Sequence, residues 1–303
     1  MRAALALLAL LVCTTARGDF DFVLLGDTPY SAGEELAFVH MLEEINRTDT
    51  AFVVHVGDFK NGWTSCADAV FEQRRSLFEA SRHPFVYIPG DNEWSDCSRL
   101  FAGAYEPLER LAALRQRFFR GPHSLGQNAL KLVRQSDAPA APFYPEHMRW
   151  QTEEVLFVTL NMPGGHNNGS MPQESAQRTA AAIDWLQQTF TLARAQNSRG
   201  IVVLMQANPF LRSGHPRRGY EKLVAALAGE TAGFDGSVLL GHGDTHVYRV
   251  DHPLKHPVGG RPLENFTRAE VFGSPDVNWL RVGVSGGTES GGRIRFAISP
   301  GRR

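Results

Sequence analysis

The sequence predicts an α/β protein of two packed, mixed β-sheets flanked by helices. Two observations carry that expectation. Short apolar runs alternate with helical periodicities through the first third of the chain, and further apolar runs of strand length return toward its end. No segment between them has the composition of an interdomain linker and no repeat of solenoid period occurs, so residues 19–303 are expected to form a single domain.

Taken in order, residues 22–25, 52–56 and 85–88 are rich in β-branched and aromatic side chains and run into glycine, the pattern of buried strands. Between them, residues 34–45 and 67–80 carry apolar side chains at helical spacing. The order is therefore βαβαβ, which builds a parallel sheet with crossover helices. A helix is expected over 106–118, a Pro- and Ala-rich turn over 137–145 and a strand over 154–160. A polar loop at 161–172 leads into a helix at 174–195 and a buried strand at 201–205. Residues 237–240 and 247–250 flank a tight polar loop, and strands at 266–272, 279–284 and 294–298 complete the chain.

Composition narrows the function. The chain is 43% hydrophobic and 21% charged with a net charge of -1, so it has no broad basic field and no nucleic-acid-binding surface is expected. Arg2 precedes an unbroken apolar run at 3–12, followed by the small residues Thr14, Ala16 and Gly18. That is the pattern of a secretory signal peptide over residues 1–18. The run is well short of the ~20 residues that cross a bilayer, so no transmembrane segment is expected after its removal. A secreted or periplasmic protein follows, and Cys66 and Cys97 remain in a compartment that permits a single disulfide.

The chemistry concentrates in one dipeptide. Gly26-Asp27, Gly57-Asp58 and Gly90-Asp91 end the first three expected strands, about one strand-helix-strand unit apart, and Gly243-Asp244 follows a later one. Open α/β folds build their sites beyond the carboxyl ends of strands, so these carboxylates are expected to face one crevice. Any single Asp there also suits the cap of the helix that follows. A crowd of carboxylates repels itself and calls for a cation. Near the last of them, His242, Asp244 and His246 share a short loop of metal-ligand character. His55, inside its strand, is expected to pack in the interior.

These residues resemble the calcineurin-like metallophosphoesterase family, which includes the purple acid phosphatases. That family carries an Asp after the first strand with a His two residues on, then Gly-Asp, Gly-Asn-His-Asp/Glu, a His ending a late strand, and Gly-His-x-His. Asp27 matches the first Asp and Asp58 the metal-bridging Asp of the second motif. Pro89-Gly90-Asp91-Asn92-Glu93 aligns with the third, and Gly243-Asp244-Thr245-His246 with the last. The resemblance implies a two-sheet sandwich holding two divalent ions (Mn, Fe, Mg, Ca or Zn) and hydrolysing phosphate mono- or diesters of small molecules or polymers. Asp27, Asp58 and His246 would hold one ion, and Asp58, Asp91 and Asp244 the other, with Gln206 as a weaker ligand.

The departures from the pattern are specific. Pro29 stands where the first motif has His, Asn92 where the third has the His that assists the leaving group, and Gln206 where the late strand ends in His. Each swap replaces imidazole and leaves a harder, oxygen-rich donor set. With that His gone, Asn92, Glu93 and His242 become the candidates for proton handling, with His166 a further possible acid. A second local alignment makes Asn92 the ligand and Glu93 the occupant of the His position. Tyr30, Asn161, His166 and Asn167 are candidates for binding substrate: Tyr30 stands beside the first motif, and the others lie on a Gly-containing loop after a strand.

The loss of imidazoles also motivates a competing reading, a non-catalytic relative that binds a nucleotide or carbohydrate. A third makes the acidic cluster a structural calcium site. Cys66 lies in the loop leaving the second motif and Cys97 in the loop leaving the third, so convergence of Asp58 and Asp91 would bring the two thiols into bridging range.

Overall fold

The computed structural model describes residues 18–286 and 293–301. The expected export signal lies, apart from Gly18, outside the described residues. The chain opens with β1 (Phe20–Leu25), α1 (Ala32–Ile45), β2 (Val53–His55), α2 (Asp68–Glu79) and β3 (Phe85–Tyr87). The three strands run parallel, as the βαβαβ order predicts. Ser31 caps α1 by accepting the Glu34 N–H, and Glu106 with Pro107 starts α3 (Pro107–Phe118) in the same manner.

The remaining elements are β4 (Val133–Arg134), β5 (Met148–Thr152), β6 (Val155–Thr159), α4 (Gly164–Asn168), α5 (Pro172–Ala195), β7 (Gly200–Leu204), α6 (Glu221–Ala232) and β8 (Ser237–His242), then β9 (Arg249–Asp251), β10 (Phe266–Glu270), β11 (Leu280–Gly286) and β12 (Ile294–Pro300). They complete two mixed sheets, with strand orders β12-β11-β1-β2-β3 and β4-β5-β6-β7-β8-β10-β9. In the larger sheet β6, β7, β8 and β10 are parallel.

The sheets pack face to face through aromatic side chains. Phe157 of β6 meets Phe22 of β1 edge-on at 5.3 Å, Phe52 at 4.9 Å and stacks on Trp150 of β5 at 5.1 Å. Burying each such ring is worth roughly 1.5–3 kcal/mol. Alternation along the strands supplies a second layer: Leu239 faces the other sheet, whereas Val238 and Leu240 face outward against Trp185 and Phe190 of α5 and Leu227 of α6.

Four elements depart from the sequence-based expectation, the two-residue strand β4 among them. β5 was not expected, although Met148 and Trp150 are buried and alternate with the more open Arg149 and Gln151. α6 went unassigned, although Leu223, Val224, Leu227 and Ala228 lie on its buried side at helical spacing. The loop expected over 161–172 contains α4, whose residues Gly165, His166 and Asn167 have φ of 57°, 57° and 59° and so form a left-handed turn. Among the described residues no helix is long and apolar enough to cross a membrane.

Candidate functional site

Parallel pairing puts the carboxyl ends of β1, β2 and β3 at one edge, and the ends of β7 and β8 meet them from the other sheet. Asp27 and Asp58 sit just past β1 and β2 with φ of 52° and 57°, and Asp244 and His246 follow β8 with φ of 84° and 57°. Left-handed backbone at a non-glycine residue costs about 1–3 kcal/mol and persists where the surroundings over-determine it. Four such residues at one edge mark a place where side-chain direction outweighs backbone comfort.

The glycines of the repeated dipeptide explain how the carboxylates converge. A Cβ on Gly90 would lie 1.9 Å from Asp58 Oδ1, and one on Gly243 would lie 1.9 Å from Asp27 Oδ2. One on Gly164, at the start of the left-handed turn, would lie 2.6 Å from Asp91 Oδ1. Each carboxylate therefore rests on the bare α-carbon of a different segment, and the motifs interlock.

Hydrogen bonds complete the arrangement. Asp58 Oδ1 accepts the Asn92 N–H at 3.2 Å, and Asp58 Oδ2 accepts from Gln206 Nε2 at 3.1 Å and Tyr30 Oη at 3.3 Å. Asn92 Nδ2 donates to Tyr30 Oη at 3.1 Å. Both oxygens of Asp27 face the Asp244 N–H, at 3.1 and 3.0 Å, and Asp244 Oδ2 accepts from Asn208 N–H at 3.0 Å. His246 Nδ1 lies 2.8 Å from the Ser274 carbonyl, which can only accept, so Nδ1 carries the proton. Its Nε2 faces Tyr30 Oη at 3.3 Å and Asp27 Oδ1 at 3.8 Å.

The electrostatics are unbalanced. Burial, with Asp244 and the other acids adding, raises Asp27 well above the usual carboxylate range, and burial with Asp91, Glu93 and Asp27 does the same to Asp58. Asp91 is pushed up to about 8 by burial, then by Asp96 and Asp244. Asp244 is raised by burial too. Among the described residues none of the four pairs with Lys or Arg. A divalent cation is the group that such oxygen-rich donors suit, and His246 Nε2 adds one imidazole nitrogen. Among the described residues, however, no three His, Cys, Asp or Glu side chains close around a single point. The donors meet as hydrogen-bonded pairs.

The other sequence-derived candidates lie elsewhere in the local structure. Glu93 is fully buried and accepts the N–H groups of Phe59 and Gly90, which ties the loops after β2 and β3 together. His242 ends β8 on its outward face, with Nδ1 on the Gly243 carbonyl, and burial lowers its pKa to about 3. Asn161 is buried and donates to Glu146. Asn167 is buried as well, and its amide donates to Thr179 and the Gly219 carbonyl. His166 is exposed at the crown of the left-handed turn, on the wall of a cavity of about 820 Å³ that Arg218 and Lys222 also line.

Cys66 and Cys97 are joined, with Cα atoms 5.8 Å apart, and both sulfurs lie against the Asn92 carbonyl at 3.7 and 3.8 Å. His55 packs inside, as expected, where its Nε2 meets the Thr28 carbonyl and its Nδ1 accepts the Gly57 N–H. Sequence reasoning missed Arg178, the fully buried guanidinium that holds the left-handed turn through Asn161 O, Asn167 Oδ1 and Glu174. Its only signal was the Glu174–Arg178 helical spacing, which usually marks a solvated pair.

No family model and no curated protein matches this sequence. Solved structures do. A structure of PhoD superposes over 93% of this chain and 68% of its own length with a TM-score of 0.57 at 13% identity. A dimetal phosphatase from Danio rerio matches over 93% of this chain and 98% of its own, with a TM-score of 0.52 at 11% identity. The purple acid phosphatase PPD1 from yellow lupin (Lupinus luteus) matches over 88% of this chain, which spans 49% of that longer protein, with a TM-score of 0.51 at 13% identity. The chain has a metallophosphoesterase-like fold.

Proposed function

We propose that this chain is a metal-dependent hydrolase of phosphate esters. What supports the reading is the electrostatic proximity of Asp27, Asp58, Asp91 and Asp244 at one sheet edge, with no Lys or Arg ion pair among the described residues, in a fold shared with phosphatases. Asp27, Asp58 and His246 would hold one divalent ion, and Asp58, Asp91 and Asp244 the second, with Gln206 beside them. When bound, such ions polarise a phosphoryl group and lower the pKa of water.

The chain's own groups then orient the substrate. Burial and the neighbouring Asp58 hold the Tyr30 phenol far above its usual pKa, so it stays protonated and donates, and Asn92 Nδ2 stands next to it. Both would hold phosphoryl oxygens. His166, exposed on the neighbouring turn, would serve the leaving group, whereas Glu93, His242, Asn161 and Asn167 hold loops. The Cys66–Cys97 bridge supports an oxidising compartment, in keeping with export.

Elemental analysis, joined to hydrolysis of an aryl phosphate mono- and diester with added Mn, tests the proposal. Bound divalent metal with turnover that vanishes in Asp58→Ala is the expected result. Among the described residues no three His, Cys, Asp or Glu side chains close around one point, which favours a second reading, a binder of a nucleotide or carbohydrate without turnover. Bound metal with no hydrolysis across a broad phosphoester panel would establish that reading instead.

A further inference from the structure

Beside the aspartate crevice the surface carries an apolar ledge that the hydrolysis reading does not use. Trp63, Leu100 and Phe101 are 60%, 79% and 74% exposed. They form one patch, with the Trp63 and Phe101 rings edge-on at 6.1 Å and the Arg99 guanidinium 5.1 Å above the Trp63 ring. Leaving such rings in water forgoes their burial, and clustered exposed aromatics on a fixed surface mark binding sites.

The patch is held in place. Trp63 follows β2 and the other two follow β3, and the Cys66–Cys97 bridge joins their loops. The Cys66 N–H donates to the Ala102 carbonyl at 2.9 Å, and Arg99 is anchored to Asp96 at 2.6 Å. It also adjoins the crevice. A Cβ on Gly62, the residue before Trp63, would lie 2.7 Å from Asn92 Oδ1 and 2.5 Å from Arg99 Nη1. Asn92 Nδ2 in turn bonds Tyr30 Oη, which bonds Asp58. The ledge and the carboxylates are thus two ends of one short chain of contacts.

We propose that the ledge seats the planar aromatic ring of a phosphate ester, of nucleobase or aryl type, whose phosphoryl group lies over the aspartate crevice. The Phe101 ring and the Trp63 face not covered by Arg99 supply stacking, and Arg99 adds a cation at the ledge. This inference rests on the phosphoesterase reading and adds the substrate class to it.

The test compares kcat/KM for a nucleoside monophosphate and for glycerol phosphate in the full chain, in Trp63→Ala and in Phe143→Ala, an exposed aromatic remote in sequence from the ledge. The ratio of planar to aliphatic substrate is expected to fall about 5- to 100-fold in Trp63→Ala and to stay unchanged in Phe143→Ala. Quenching of the Trp63 fluorescence by adenosine, taken as the difference between the wild type and Trp63→Leu, reads the ledge without turnover. Quenching without hydrolysis would sustain the ledge and sink the phosphoesterase reading. Hydrolysis with an unchanged ratio would overturn the ledge alone, and so would Trp63-dependent binding to phosphatidylglycerol vesicles without any response to adenosine.

Discussion

Gln206 donates its Nε2–H to Asp58 Oδ2 across 3.1 Å, and this bond joins the end of β7 in the larger sheet to the end of β2 in the smaller one. The same amide accepts the Gly164 N–H at 2.6 Å through its Oε1. In Gln206→Ala the buried Gly164 N–H loses its partner and Asp58 Oδ2 keeps only Tyr30 Oη, and stability is expected to fall by about 1–3 kcal/mol. Urea denaturation measures it; an unchanged midpoint would mean that water replaces the amide and the bond does not couple the sheets.

The interlock of glycine and carboxylate makes a sharper prediction. In Gly243→Ala the new methyl would lie 1.9 Å from Asp27 Oδ2, so the first and last motifs cannot keep their present relation. A loss of ~2 kcal/mol or more is expected, together with weakened binding of Mn by calorimetry. Gly229→Ala is the control, because nothing lies within 4 Å of that position on the exposed side of α6 and the substitution should stabilise by roughly 0.5–1 kcal/mol. Equal effects of the two substitutions would rule out the interlock.

Stability of the metal-free chain should fall as pH rises. Asp91 and Glu93 have folded-state pKa values raised to about 8 and about 7, so folding retains protons that the unfolded chain has already released. Their contribution is complete below the ordinary carboxylate pKa and is lost as pH rises through 7 and 8. Above pH ~6.5 a histidine with an ordinary or lowered pKa is mostly neutral in both states, so the window from about pH 6.5 to 9 isolates the carboxylates. Urea midpoints in EDTA should drop across that window by an amount of order 1–3 kcal/mol, and saturating Mn should flatten the slope. A flat profile in EDTA would show that the carboxylates are compensated in the absence of metal.

The Cys66–Cys97 bridge closes a loop of 31 residues, and its removal in Cys66→Ser/Cys97→Ser should cost about 2–5 kcal/mol. Because both sulfurs lie against the Asn92 carbonyl, the double variant should also lose affinity for Mn. Thiol titration of the denatured, unreduced chain lacking residues 1–18 should find no free thiol. Two free thiols would exclude the bridge in the protein as made.

Much of this was legible in one dimension. Periodicity announced β1, α1, β2, α2 and β3 because each buries one face and so repeats at the spacing of its own backbone. It announced the aspartates as a set because parallel strands that each end in Gly-Asp must deliver those residues to one edge. β5 and α6 were equally periodic, but neither runs into the Gly-Asp dipeptide that made β1, β2 and β3 conspicuous.

The partners of those aspartates were not legible. That Asp27 rests on Gly243, Asp58 on Gly90 and Asp91 on Gly164 depends on which strand lies beside which, and contacts between distant segments leave no local period. The same holds for Glu93 and His242, which the motif spacing offered as proton carriers and the fold directs to backbone groups. Arg178 and the left-handed turn at Gly165, His166 and Asn167 belong with them: a positive φ in a non-glycine residue is unfavourable by itself and arises only because buried hydrogen bonds from elsewhere in the chain outweigh it. The sequence by itself determined the layer architecture and the chemical type of the crevice. The tertiary structure decided which donors face it, because orientation at a strand end is set by packing between sheets.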